Sequence, residues 1–257
     1  MANVSIIDAA LRRDRILVLS GLLAVVILAW AYLLGGAGMS MHEMTGMTMA
    51  PQRPMWTPGY VALVLVMWAV MMASMMLPSA APMILLFGTI ARRRQAAGNT
   101  ATGAGLFGLG YILVWAGFSL VAVGLQFGLD QAALLSPMMS TTSASLAGVV
   151  LIAAGSYQWT PLKQACLRRC RSPLEFLMTE WRVGARGALV MGLRHGAFCL
   201  GCCWVLMLLL FVGGIMNVAW LAGIALFVLV EKVAPAGHWM GRAAGVALVV
   251  WGAATLV

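Results

Sequence analysis

Two windows of the chain concentrate methionine, and a third combines cysteine, histidine and methionine at helical spacing. Ten of the twenty methionines lie in the first two. The first reads Met39-Ser-Met41-His42-Glu43-Met44-Thr-Gly-Met47-Thr-Met49. Thioether and imidazole on a solvated loop suit capture of a soft ion, chiefly Cu(I). Methionine is also a flexible apolar filler, but an aqueous loop has no core to fill. In the second window Met67, Met71 and Met75 recur every fourth residue, and Met72 with Met76 forms the adjacent file. Residues four apart share a helix face, so both files line one side. An uncharged thioether costs little to bury in hydrocarbon; the competing reading of such a stripe is plain packing.

The third window is Met191, His195, Cys199, Cys202, Cys203 and Met207. Steps of four and three keep Met191, His195, Cys199, Cys203 and Met207 on one slowly drifting face, with Cys202 beside it. A single free cysteine is commonly a small buried hydrophobe. Three within five residues, one turn after one of only three histidines, point instead to ligation. Cys-x-x-Cys on a helix suits Cu(I), with zinc as the alternative. Ionisable residues at membrane depth are functional candidates, which adds Glu231 and His238, although their place near helix ends equally suits an interface. Lys232 and Arg242 share that interfacial reading. Cys166 and Cys170, four apart among Arg168, Arg169 and Arg171, are expected to favour the thiolate. They read either as a station for metal or as free surface thiols. Disulfide staples are not expected of these five cysteines, two of which fall in the reducing cytoplasm and three in the membrane.

The elements that must position these groups follow from composition. The chain is 63% hydrophobic and 9% charged, with mean hydropathy +0.97. A soluble domain needs roughly a quarter of its residues charged, so lipid is the expected solvent. Seven runs approach the roughly 17 to 25 residues that cross a bilayer as a helix: Ile16–Leu34, Pro58–Leu86, Gly105–Leu129, Ser145–Trp159, Ala188–Val212, Gly214–Val230 and Trp239–Leu256. The first is too long for a signal-peptide core and reads as a retained helix. The expected fold is all-α, a polytopic transmembrane bundle of seven helices in a single integral membrane domain, residues 1–257.

Basic residues set the orientation. Arg12, Arg13, Arg15, Arg92, Arg93, Arg94, Lys163, Arg168, Arg169, Arg171, Arg182, Arg186, Lys232 and Arg242 fall on one side if the N-terminus is cytoplasmic, and only Arg53 falls opposite. The net charge of +9 is therefore an orientation signal and implies no nucleic acid. This places residues 35–57 outside as a Met/His-rich loop. It places 161–186 in the cytoplasm as a basic amphipathic segment against lipid headgroups. No phosphate-binding glycine motif is present, so an ATP-driven pump in this chain alone is not expected.

Depth connects the ligand windows. At 1.5 Å per residue, Met67 and Cys203 each lie roughly 13 Å below the outer ends of their runs. Met71 and Met72 then match Cys199, and Met75 and Met76 approach His195. Pro78 and Pro82, which free backbone carbonyls, allow a broken helix at a transport site or an ordinary packing kink.

Several of these stretches together resemble a bacterial family of predicted metal-binding integral membrane proteins of unknown function. They are Trp68-Ala-Val-Met71-Met72-Ala-Ser-Met75-Met76-Leu-Pro78, Tyr157-Gln158-Trp159-Thr160-Pro161-Leu162-Lys163, Gly201-Cys202-Cys203-Trp204, Gly214-Ile-Met216-Asn217 and Glu231-Lys232. The resemblance spans Trp56 to Gly252 and implies metal binding in the membrane; the Met-rich loop lies outside it.

The leading expectation is a copper-handling protein of the bacterial inner membrane. The loop captures Cu(I), and the second and fifth runs hold or pass it, with exchange to a periplasmic or cytoplasmic metal carrier or a larger membrane complex. A membrane oxidoreductase using Cys199, Cys202 and Cys203, or copper redox chemistry, is the second reading. A metal-free subunit of a larger assembly is the third.

Overall fold

The computed structural model describes residues 2–37, 55–96, 103–136 and 139–257. The loop bearing Met39, Met41, His42, Met44, Met47 and Met49 lies outside the described residues. Among those described the chain is helical: α1 Ala2–Leu34, α2 Pro58–Ala96, α3 Ala104–Gln131, α4 Ala144–Tyr157, α5 Pro161–Arg171, α6 Pro173–Glu180, α7 Gly184–Leu208, α8 Leu210–Gly213, α9 Val218–Val233 and α10 Gly237–Leu256. Local chemistry sets several starts. Ser143, Thr160 and Asn217 accept from Leu146 N, Lys163 N and Trp220 N, which satisfies amide donors that a first turn leaves open.

Five helices among the described residues are long and apolar enough to cross a membrane: α1, α2, α3, α7 continued through α8, and α10. The fourth and sixth runs do form helices, but α4 has 14 residues and α9 has 16. At 1.5 Å per residue these reach only about 21 and 24 Å, short of the roughly 30 Å hydrocarbon core. The outward faces carry Leu23 and Leu28 on α1, Leu113 and Leu120 on α3, and Val246 and Val250 on α10, all exposed. Water solvates such a surface poorly and hydrocarbon solvates it well, so the bundle is compatible with membrane insertion.

Two close approaches fix the layout. α3 lies along α7, where a Cβ on Gly192 would collide with the Phe107 carbonyl and one on Gly110 would sit 2.8 Å from Leu193 N. α4 lies along α10, and a Cβ on Gly155 would stand 2.7 Å from the Gly245 carbonyl oxygen. Small residues let helix backbones approach this closely where lipid supplies no hydrophobic drive between them. α2 packs on α3 and on α1. At one end of the bundle, Trp56 Nε1 donates to Asp130 (2.8 Å) and Trp68 Nε1 donates to Gln126 (2.7 Å). α2 runs through Pro78 and Pro82 without interruption, so the break that the prolines allowed is absent.

Gly155→Leu is expected to destabilise the protein by about 1–3 kcal/mol, measured as a fall in Tm in detergent. A side chain on Gly223 meets nothing within 4 Å, and Gly223→Ala is expected to leave Tm unchanged or raise it.

Candidate metal centre

The expected face of α7 exists. Met191, His195, Cys199, Cys203 and Met207 are buried, with Cys202 also buried beside them. α3 contributes Tyr111, whose hydroxyl lies 3.0 Å from Cys199 Sγ and donates to the Met76 carbonyl at 3.1 Å. α2 contributes Met76, whose Sδ accepts from Cys203 Sγ at 3.9 Å. Met67, Met71, Met72 and Met75 fill the core on the same helix. The thiols of Cys202 and Cys203 each donate to the Cys199 carbonyl at 3.0 Å.

This register differs from the one that depth counting predicts. Cys203 meets Met76 rather than the level of Met67, a shift of more than two helical turns. α2 has 39 residues, about 58 Å of helix, nearly twice the hydrocarbon thickness. Its ends therefore do not mark a common depth with α7. The two helices approach across Tyr111 of α3, which touches both.

The ends of α9 and α5 complete the site. Glu231 and Lys232 are buried rather than interfacial. Lys232 Nζ donates to Cys199 Sγ at 2.9 Å and to Ser79 Oγ at 3.1 Å. Glu231 turns the other way and pairs with Lys163 at 2.7 Å, both side chains almost fully buried. Lys163 also donates to Gln158. A buried ammonium and carboxylate are tolerable only as such a pair, so Lys163 is a structural cation rather than an orientation signal. Glu231 is engaged here and not among the sulphur groups. His238 is exposed beside Trp239 and apart from the cluster.

His195 sits one turn from Cys199 inside a box of rings, with centroids of Phe107, Tyr111 and Phe176 at 5.9, 5.7 and 5.5 Å. Its Nδ1 has no hydrogen-bond partner among the described residues. Met191 Sδ accepts from the Arg182 backbone amide at 3.2 Å.

α5 lies against α7 level with Gly201, whose carbonyl accepts from Tyr157 at 2.5 Å. The arginines were expected to favour thiolates at Cys166 and Cys170, and they do not. Burial, with Cys202 nearby, pushes the Cys166 thiol up. Hydrogen bonds with Cys199 and Cys202 hold Cys170 well above the usual range. Arg171 turns away instead and donates to the carbonyls of Glu231, Ala234 and Pro235 at 3.1, 2.7 and 2.8 Å.

Among the described residues, no group of three or more His, Cys, Asp or Glu is disposed to hold a metal ion. A soft ion can take thioether as well as thiol, and one of each meets here, Cys203 Sγ with Met76 Sδ at 3.9 Å, with Cys199 one turn from Cys203 on the same helix. Two thiols and a thioether suit Cu(I), which prefers soft ligands, better than zinc, whose structural sites take four nitrogen or sulphur ligands. Tyr111, Ser79 and Lys163 were missed as parts of the site. Lys163 gave no signal of its own, because it stands at the start of a basic segment with Arg168, Arg169 and Arg171.

Lys163→Met or Glu231→Leu alone leaves an unpaired buried charge and is expected to lower stability by about 3–5 kcal/mol. Thermal unfolding in detergent reads this, and the paired variant Lys163→Met/Glu231→Leu should recover most of it.

No curated protein and no solved structure matches the chain. Residues 65–255 match the family model described as PpoB2, copper chaperone. That stretch holds α3 to α9, all but the start of α2, and α10 almost to its end. The sulphur cluster lies within it, and the chain belongs to the PpoB2 copper chaperone family.

Proposed function

We propose that this protein is an integral protein of the bacterial inner membrane that holds Cu(I) between Met76, Cys199 and Cys203 and passes it on. The observation that carries the reading is the meeting of Cys203 Sγ with Met76 Sδ at 3.9 Å, two residues 127 positions apart in sequence. Two thiolates and one monovalent ion sum to a single negative charge. The ammonium of Lys232, 2.9 Å from Cys199 Sγ, balances it. A site that ends neutral avoids most of the cost of an isolated charge away from water.

Each neighbouring group has a part in this scheme. Tyr111 steadies both sides, holding the Met76 turn by its carbonyl while its hydroxyl faces Cys199. The ring box holds His195 one turn away, with Nδ1 open to an ion that moves along α7. The Met/His loop of residues 35–57 captures Cu(I) from outside, where thioether and imidazole need no deprotonation to bind. Methionines of α2 then offer neutral donors along the way. Such a role needs no nucleotide; the ion is exchanged between soft ligands.

The test is a Cu(I) titration of the purified chain in detergent against a competing chelator. Met76→Leu and Cys203→Ser should each weaken binding by about tenfold or more, roughly 1.4 kcal/mol. His238→Ala should leave it unchanged. A chain that binds no more Cu(I) than Met76→Leu/Cys199→Ser/Cys203→Ser refutes the reading. Deleting residues 39–49 is expected to slow loading, followed by chelator absorbance, while leaving the equilibrium affinity of the interior site in place.

A further inference from the structure

We propose that Cu(I) enters the bundle beside Met139 and rests between Met72 of α2 and Met207 of α7, a site of thioethers alone one turn from Met76 and Cys203. The inference rests on the copper reading above and deepens it, by naming the ligands that the ion meets first inside the helices.

Two contacts fix how α2 faces α7 and its continuation α8. Cys203 Sγ meets Met76 Sδ at 3.9 Å, and the ring centroids of Trp68 and Phe211 stand 5.5 Å apart. These contacts are eight residues apart on each helix, running in opposite senses. Met72 and Met207 are the midpoints of that interval, four residues from either contact. Four residues turn a helix by about 400° and advance it by about 6 Å, so both midpoints stay on the shared face. Both methionines are fully buried, and their unbranched side chains can adapt to an ion held between them.

α3 closes the third side. The Phe107 carbonyl lies at Gly192 and the Tyr111 carbonyl at Gly196, which sets α3 parallel to α7 at a constant offset. That offset brings Gln126 level with Phe211, and both do meet the same residue. Trp68 donates to Gln126 at 2.7 Å and packs on Phe211. It also brings Ala122 level with Met207. A buried methyl is all that Ala122 presents there, and it competes with neither sulphur for an ion.

The way in lies at the end of the bundle that holds Trp56 and Asp130, which the copper reading turns outward. There Gln126 Nε2 donates to Met139 Sδ at 3.4 Å, and the sulphur keeps a second lone pair for an ion. Met139 has φ 55°, a left-handed conformation uncommon outside glycine. Its amide donates to the Ser136 carbonyl at 2.8 Å, and the Thr141 amide ties the chain to the Phe211 carbonyl at 2.7 Å. The strained turn thus holds a thioether against Gln126. Below it stand the rings of Trp68 and Phe211, whose faces attract a cation.

Binding is a ligand exchange in which no proton and no electron moves. The ion gives up the ligands that delivered it and gains two sulphur–copper bonds. Its positive charge is uncompensated here, so this site is weaker than one balanced by thiolates and passes the ion inward.

Two measurements on the full chain in detergent, without oxygen, test the proposal. In the first, Cys199→Ser/Cys203→Ser is titrated with Cu(I) against the chelator ferrozine. It should retain an ion more weakly than the unaltered chain does. Adding Met72→Leu or Met207→Leu should weaken that residual binding by about tenfold or more. Leucine nearly conserves the volume of methionine, so the fold is kept and the sulphur is lost, while the exterior loop is common to every variant. In the second, loading of the chain with its thiols intact is followed by the ultraviolet absorbance of thiolate-bound Cu(I). Met72→Leu, Met207→Leu and Met139→Leu should each slow loading by about tenfold and change the final affinity less than about twofold. Met83→Leu, on the far side of Met76, should load at the unaltered rate. Residual binding indifferent to both Met72→Leu and Met207→Leu overturns the proposal, as does loading of these variants at the unaltered rate. Failure of the copper reading shows separately. The unaltered chain then binds no more Cu(I) than Met76→Leu/Cys199→Ser/Cys203→Ser does, and the entry site falls with it.

Discussion

Glu231 and Lys232 follow one another at the end of α9, and each carries a charge into the interior of the bundle. Neither can remain there without a partner, because an ion away from water loses most of its solvation. Their side chains resolve this in opposite directions: Glu231 takes Lys163 from α5, and Lys232 takes Cys199 from α7 and Ser79 from α2. Three helices are thereby tied to one dipeptide of a fourth. The ion pair fixes where α5 lies, and α5 so placed sets Cys166 against Gly201 of α7.

Helix contacts of a different kind make the pairing possible. Gly192 and Gly110 let α3 and α7 touch backbone to backbone, and that brings Tyr111 to the level of Cys199. Tyr111 then reaches past Cys199 to the Met76 carbonyl on α2. A bulkier residue at either glycine would hold the helices apart by more than a hydrogen bond can span. The sulphur cluster is therefore a consequence of glycine packing and charge pairing together.

The choice of thioether and thiol suits this environment. A carboxylate ligand in the same place would need its own counter-charge, as Glu231 does. Met76 needs none, and Lys232, 2.9 Å from Cys199 Sγ, would offset the thiolates of the proposed site. Soft-ligand sites with few charges are among the least costly metal sites to place where water is scarce.

Much of this architecture was readable from residue order. The apolar runs, their helical character and the face shared by His195, Cys199 and Cys203 follow from local composition and a 3.6-residue period. The soft-metal reading needed only the clustering of Met and Cys. The register between α2 and α7 was not readable, because counting from helix ends assumes equal depth and α2 is far longer than a bilayer is thick. The burial of Lys163, Glu231 and Lys232 was equally hidden, since a charge near a helix end looks interfacial until its partner is known. Cys166 came to lie against Gly201 only through the folding of α5 onto α7. Periodicity determines which residues share a face; which faces meet, and at what level, depends on long-range contacts that only tertiary packing decides.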